Sequence, residues 1–213
     1  TGVYALFELI VTNKKILKII LVEPAGTINI GSVARLCENF GVNELRLVSP
    51  RCNHLTQEAK KMAVKGVKIL EKASIYENLN SALSDCSIII ATCGRKDHGE
   101  IPLNSNKEVF DWANQSEKEE RIGLVFGRED RGLSNEELLK ANKVISLITT
   151  KKYPSLNLSH AVAIVLHQFN QLNELNELNE FDDQHDQKNE INKTSNQEIY
   201  TTNDWNDESF SRW

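Results

Sequence analysis

Three short segments of this 213-residue chain place glycine, asparagine, serine, arginine and glutamate where they can do chemistry. In Glu23-Pro-Ala-Gly-Thr-Ile-Asn29-Ile-Gly31-Ser-Val-Ala-Arg35, a glycine-containing loop leads into a helical pattern. Backbone N–H groups at such a helix start can hold an anion, and the Arg35 guanidinium is a planar fork for phosphate. The plain alternative is a turn with Arg35 paired to Glu38 or Asn39 on the surface. In Leu124-Val-Phe-Gly127-Arg128-Glu129-Asp130-Arg131-Gly132-Leu133-Ser134, an apolar run passes directly into four charges bracketed by glycines. Charges between elements usually sit in water, but the bracketing glycines point to a tightly folded backbone close to a ligand. In Tyr153-Pro-Ser155-Leu156-Asn157-Leu158-Ser159-His160, serine and asparagine precede the last helical pattern, where they also serve as caps. His160 and His167, on one side of that helix, read as packing or surface residues rather than catalysts or metal ligands. Neither GxGxxG nor GxxxxGKS/T is present, which removes support for dinucleotide-binding and phosphate-loop enzymes.

The elements that must position these segments alternate between strand and helix. The runs Ile16–Val22, Leu45–Val48, Ser87–Ala91, Ile122–Phe126 and Val144–Ile148 are near-continuously apolar, as strands buried on both faces of a parallel sheet are. Helical patterns cover Ile30–Phe40, Thr56–Lys65, Asn78–Ser84, Asn135–Ala141 and Asn157–Phe169. Ser134 and Glu137 form a capping box before the fourth, and Ala161, Val162, Val165, Leu166 and Phe169 make a core-facing stripe on the last. The fold class is therefore α/β, a mainly parallel sheet with flanking helices. In such sheets ligands bind at the carboxyl ends of the strands, which is where all three segments fall.

Composition bounds the rest. Hydrophobic residues make up 40% of the chain, enough for one buried core. No apolar run approaches the roughly 20 residues that span a bilayer. Val3–Val11 lacks the flanks of a signal peptide, so no membrane partner is expected. The four cysteines (Cys37, Cys52, Cys86, Cys93) show no metal-ligand spacing, which predicts reduced thiols, a cytoplasmic protein and no metal. Residues 171–213 hold 11 acidic against 3 basic residues, leaving 22 basic and 19 acidic in the body. The expected organisation is an N-terminal extension over 1–14, an α/β domain over 15–170 and an acidic tail over 171–213. The Asn-Glu-Leu repeats at the start of that tail continue the helix before a segment too polar to pack.

Taken together and in order, Asn29-Ile-Gly-Ser-Val-Ala-Arg35, Gly127-Arg128-Glu129 with Gly132-Leu133, and Ser155-Leu-Asn157-Leu-Ser-His-Ala161 resemble the three motifs of the SpoU (TrmH-type) branch of the SPOUT RNA methyltransferases. The resemblance spans about residues 16–169. The wording LVFGRE…GLSNEEL and YPSLNLS is most similar to members that methylate cytidine or uridine riboses in the transfer RNA anticodon loop. The resemblance implies a C-terminal trefoil knot, a rare exception to unknotted topology, a homodimer, and S-adenosylmethionine as cofactor. The cofactor would lie among three loops, with Thr92, Cys93, Gly94, Gly127, Arg128, Ile148, Leu156, Asn157 and Leu158 as binding residues. Arg35 would sit at the ribose 2′-oxygen and its phosphate, and Asn29, Glu129, Ser155 and Asn157 would position it, the cofactor or the ribose.

Methylating a ribose hydroxyl is an in-line displacement at a sulfonium carbon, so the protein must orient the oxygen and help remove its proton. A guanidinium, with a pKa above about 12, is a poor base by itself. Either its pKa is strongly lowered, or it aligns the hydroxyl while phosphate or water takes the proton. Candidates for RNA phosphate contact are Arg51, Lys60, Lys61, Lys65, Arg95 and Lys96. Three rivals stand beside this reading: a base methyltransferase of the same superfamily, a non-catalytic RNA-binding protein of the same fold, and an unrelated nucleotide-binding enzyme.

Overall fold

Runs of branched apolar residues become strands because both of their faces are covered. The computed structural model describes residues 15–94, 99–115, 120–147, 149–150, 152 and 155–172. In chain order the elements are β1 (Ile16–Val22), α1 (Thr27–Asn39), β2 (Glu44–Val48), α2 (Gln57–Ala63), a 3₁₀ turn (Val64–Gly66), α3 (Val67–Glu71), β3 (Ser74–Tyr76) and α4 (Leu79–Leu83). They continue with β4 (Ile88–Thr92), α5 (Asn106–Gln115), β5 (Arg121–Phe126), α6 (Asn135–Leu138) and β6 (Lys143–Ile145), and close with a helix over 158–172, α7. The six strands form one sheet in the order β3-β2-β1-β5-β4-β6, every pairing parallel.

Successive side chains of β1 point to opposite faces, and each face has its own core. Ile19 and Leu21 pack with Ile30, Val33 and Cys37 of α1, Phe110 of α5 and Val162, Val165 and Phe169 of α7. The apolar stripe read on the last helix thus faces the core, and Phe110 meets Phe169 edge-on at 5.5 Å between ring centroids. Ile20 and Val22 face the thinner side, under Leu79 and Ala82 of α4 and Leu138 of α6.

The same face carries charge at its amino end. Lys18 and Arg46 are buried there, at 4% and 3% exposure. Asp85, just after α4, accepts from Lys18 Nζ at 2.5 Å and from Arg46 Nη1 at 2.6 Å. Glu44 holds the other edge of Arg46 at 2.8 and 3.0 Å. The Arg46 guanidinium lies 5.3 Å from the Tyr76 ring centroid.

Several boundaries differ from the sequence expectation by a few residues, and three elements were not expected: α3, β3 and α5. β3 is three residues long with no fully buried position, so it lacks an apolar signature. α5 buries only Val109, Phe110 and Ala113, a narrow stripe that leaves a weak helical pattern. The last expected strand ends at Ile145 rather than Ile148, which lies outside the described residues. Residues 1–14 and the tail beyond Leu172, together with Arg95 and Lys96, also lie outside them.

Candidate active site

The sheet order reverses between β1 and β5: β2 and β3 follow outward from β1, while β4 and β6 lie beyond β5. Loops leaving the carboxyl ends of strands on either side of such a switch diverge and leave a crevice. The loops after β1 and β5 are the first two motif segments.

The β5 loop folds back on itself. Arg128 and Gly132 form an antiparallel bridge, with Gly132 N–H donating to Arg128 O at 2.9 Å. A Cβ on Gly127 would lie 2.2 Å from the Gly132 carbonyl carbon, and Gly132 itself has φ +68. Only glycine permits both the close approach and the left-handed turn. Ser134 then caps α6 by the capping box read from sequence, with Glu137 accepting from Ser134 N–H at 2.7 Å.

Glu137 does a second job there. It grips the Arg128 guanidinium at 2.8 and 2.9 Å, and Glu23 grips it from the end of β1. Glu23 also accepts from Arg51 at 2.5 Å and faces Arg131 at 3.5 Å. Hydrogen bonds from Arg128 and then Arg51 hold the Glu23 carboxyl down at about 2 despite partial burial. Its backbone has φ 45, a strained conformation for a non-glycine residue that these contacts hold in place. Glu137 is pushed up by burial, but the bonds from Arg128 and Ser134 outweigh that and keep it below the ordinary carboxylate range. Arg128 was expected to bind cofactor. Its side chain is 9% exposed and its charge is taken by two carboxylates, so it braces the loop and forms cavity wall.

Glu129 joins the motifs. Its Oε2 accepts from Ala25 N–H at 3.2 Å, and its Oε1 from Gly26 N–H at 3.1 Å and Asn29 Nδ2 at 3.2 Å. A carboxylate thus closes the start of α1, where the helix dipole and unpaired N–H groups favour it. Burial raises the Glu129 carboxyl, yet these bonds, with one from its own backbone, hold it below its usual range. Asn29 Oδ1 in turn accepts from Asn157 Nδ2 at 3.0 Å. Asn157 Oδ1 accepts from Ser159 N–H at 2.9 Å at the start of α7. Residues 25–29, 129 and 157–159 are therefore one hydrogen-bonded chain.

Two cavities flank this chain. The first, about 750 Å³, is lined by Thr92, Cys93 and Gly94 at the carboxyl end of β4, by Gly127–Ser134, and by Leu147, Ser155, Leu156, Leu158 and Ala161. A Cβ added to Gly94 meets nothing within 4 Å, so the β4 loop faces open space. The second, about 710 Å³, is lined by Asn29, Glu129, Thr149, Thr150, Ser155, Leu156, Asn157 and His160. Glu129, Ser155 and Leu156 belong to both, so the two adjoin. Of the expected site residues, Ile148 lies outside the described residues, and all the others except Arg35 line one or the other. Arg35 lines neither: it lies six residues beyond Asn29, about 120° around the helix. It is exposed and makes no ion pair or hydrogen bond to the described residues, so the surface pairing with Glu38 or Asn39 does not form. Among the lysines and arginines considered for RNA, Arg51 pairs with Glu23 and Lys60 with Glu71, while Lys61 and Lys65 are exposed. Sequence reasoning missed Glu23, took Arg51 for an RNA contact rather than a partner of Glu23, and set His160 aside as packing or surface.

Comparison with known proteins agrees with this geometry. The model of the SpoU rRNA methylase family matches residues 16–167. A tRNA (cytidine-2′-O-)-methyltransferase TrmJ of Methanocaldococcus jannaschii is 40% identical over 156 residues, 71% of this chain and 66% of the relative. A tRNA (cytidine/uridine-2′-O-)-methyltransferase TrmJ of Pectobacterium atrosepticum is 32% identical over 152 residues, 71% of this chain and 63% of the relative. The chain thus matches these relatives over slightly less than two thirds of their length. The crystal structure of TrmJ from Z. mobilis superposes with a TM-score of 0.68 at 30% identity, covering 74% of this chain and 70% of that one.

Proposed function

The chain belongs to the SpoU rRNA methylase family, and from that premise we propose that it transfers a methyl group from S-adenosylmethionine to a ribose 2′-hydroxyl of transfer RNA. A cytidine or uridine is the preferred target, in keeping with what the TrmJ relatives are named for, and the anticodon loop is where this reading puts it. The observation that carries the reading is the Glu129–Asn29–Asn157 chain, which joins all three motifs between two adjoining cavities.

The first cavity suits the cofactor. Its volume falls in the usual range of about 300–1,000 Å³ for small-molecule sites, and its wall mixes leucines with polar backbone at strand ends. Arg128 Nε is buried without a partner at this wall, and Gly94 opens onto space that a side chain would fill. Thr92–Gly94, Gly127 and Leu156–Leu158 would hold the cofactor, with Cys93 as a small apolar wall. S-adenosylmethionine supplies a methyl group on a sulfonium and its own leaving group. The protein's part is alignment. Asn29 and Asn157, each held by a hydrogen bond on the other, fix the floor of the second cavity for the ribose, and Ser155 stands between the two. Arg35, exposed on α1 and without an ion pair among the described residues, would take the adjoining phosphate. The trefoil knot, the homodimer and the cytoplasmic setting implied by the family belong to this proposal as well.

Incubating the protein with labelled S-adenosylmethionine and bulk tRNA, beside Arg35→Ala, tests it. Label in 2′-O-methylcytidine or 2′-O-methyluridine after digestion to nucleosides, lost in the variant, is the expected result. Label on a base instead moves the chain to base methylation. Cofactor binding without label in any RNA contradicts the substrate assignment.

A further inference from the structure

Resting on the ribose-methylation reading, we propose that His160 is the proton acceptor for the 2′-hydroxyl. Three groups are candidates for that role, and two are poorly placed or poorly matched. Arg35 lines neither cavity, and a guanidinium stays charged at any ordinary pH. Glu129 lines both cavities, but its oxygens already accept from Ala25, Gly26 and Asn29, and these bonds keep it a weak base.

His160 is the other titratable group among the described residues lining the second cavity. It stands in the first turn of α7, three residues after Asn157, so both lie on one helix face. The imidazole is exposed and makes no hydrogen bond to the described residues. Among the described residues lining this cavity, the groups beside it are neutral apart from Glu129: Asn29 from α1, Thr149 and Thr150 from the preceding stretch, and Ser155 and Asn157 before α7. On α7 itself the next titratable group, His167, is seven residues on. Imidazole is the side chain whose ordinary titration falls between about pH 5 and 8, which suits a general base near neutrality. In the proposed step the ribose oxygen forms a bond to the methyl carbon and the carbon–sulfur bond breaks. Its electron pair stays on sulfur, the hydroxyl proton moves to the imidazole, and the imidazolium later releases it to water.

Single-turnover methyl transfer into tRNA, followed from about pH 5 to 9, tests this with His160→Gln and, as control, His167→Gln. The wild-type and His167→Gln rates should rise through one ionisation to a plateau. His160→Gln should lose that ionisation and fall by about 10²-fold or more at the plateau, with tRNA KM little changed. A second readout needs no turnover: the His160 imidazole NMR signal, identified by its absence from His160→Gln, should shift when anticodon stem–loop RNA is added without cofactor. A wild-type profile flat over this range, an unchanged His160→Gln profile, or an imidazole signal unmoved by RNA overturns the proposal while leaving ribose methylation standing. Absence of ribose label in the wild-type protein overturns the reading beneath it.

Discussion

Two arginines clasped by carboxylates, one near each end of the sheet, show how the same contact serves different ends. Arg46 lies at the amino end, held by Asp85 and Glu44 with Lys18 beside it. Arg128 lies at the carboxyl end, held by Glu137 and Glu23. Burial pulls the Arg46 guanidinium toward losing its proton, and the Asp85 and Glu44 bonds reverse that. At Arg128 the bonds to Glu137 and Glu23 dominate outright. The surroundings differ more than the pairs. The Arg46 cluster sits on a regular strand register between β1 and β2 and lines neither of the two cavities described above. The Arg128 cluster ties a glycine-bracketed loop to a strained strand end, and its other side is cavity wall. An ion cluster inside regular structure holds the fold, whereas one at the strand ends holds a site.

The largest effect that separates them is expected from Arg46→Met. Removing one member of a buried cluster leaves uncompensated charge and costs about 3–5 kcal/mol, toward the lower figure because Lys18 still pairs with Asp85. Thermal unfolding should show the loss, and cofactor affinity of the folded protein should match wild type. Arg128→Met should cost less stability, about 1.5–3 kcal/mol, since Glu23 keeps Arg51 and Arg131 as partners. It should weaken S-adenosylmethionine binding at least tenfold, or about 1.4 kcal/mol, as the loop loosens. Equal affinities in the two variants would erase the contrast.

Acid should dissolve both clusters in the same direction. Glu23 falls to about 2 when folded, against an ordinary value of about 4.3. Its contribution is fully present above the ordinary value and disappears as pH drops through about 2. Asp85 is likewise depressed, chiefly by its bond from Arg46, so Arg46→Met should raise the midpoint of acid unfolding followed by circular dichroism. The smallest effect is a control. Lys107 and Asp111 form an exposed pair one turn apart on α5, and Asp111→Asn should change stability by no more than about 0.5 kcal/mol.

What was legible in the sequence follows the same division. The long buried strands, the capping box of Ser134 and Glu137 and the stripe on α7 are local patterns, and the structure contains them. The three motifs converge as the strand-end rule expects. The bond between Asn29 and Asn157 spans 128 residues, and no local pattern encodes such a pair. Glu23 escaped notice, and Arg51 was read only as an RNA contact, because a charged residue at a strand end looks solvated until its partners are known. One signal was available: Glu23 directly follows the last residue of β1 and opens the first motif. His160 was weighed only by helix spacing, which says nothing of the cavity beside it. Arg35 is the reverse case: its motif position is clear, yet the helix turns it away from both cavities.

The central claim is that the cavity beside the β4 and β5 loops is the cofactor pocket. Gly94 allows a direct test, because a Cβ added there meets none of the described residues within 4 Å. The dissociation constant for S-adenosylmethionine should be measured by calorimetry in wild type and Gly94→Leu, with melting temperatures for both. At least tenfold weaker binding at an unchanged melting temperature is predicted. Undiminished affinity in a folded Gly94→Leu protein would mean that the cofactor binds elsewhere.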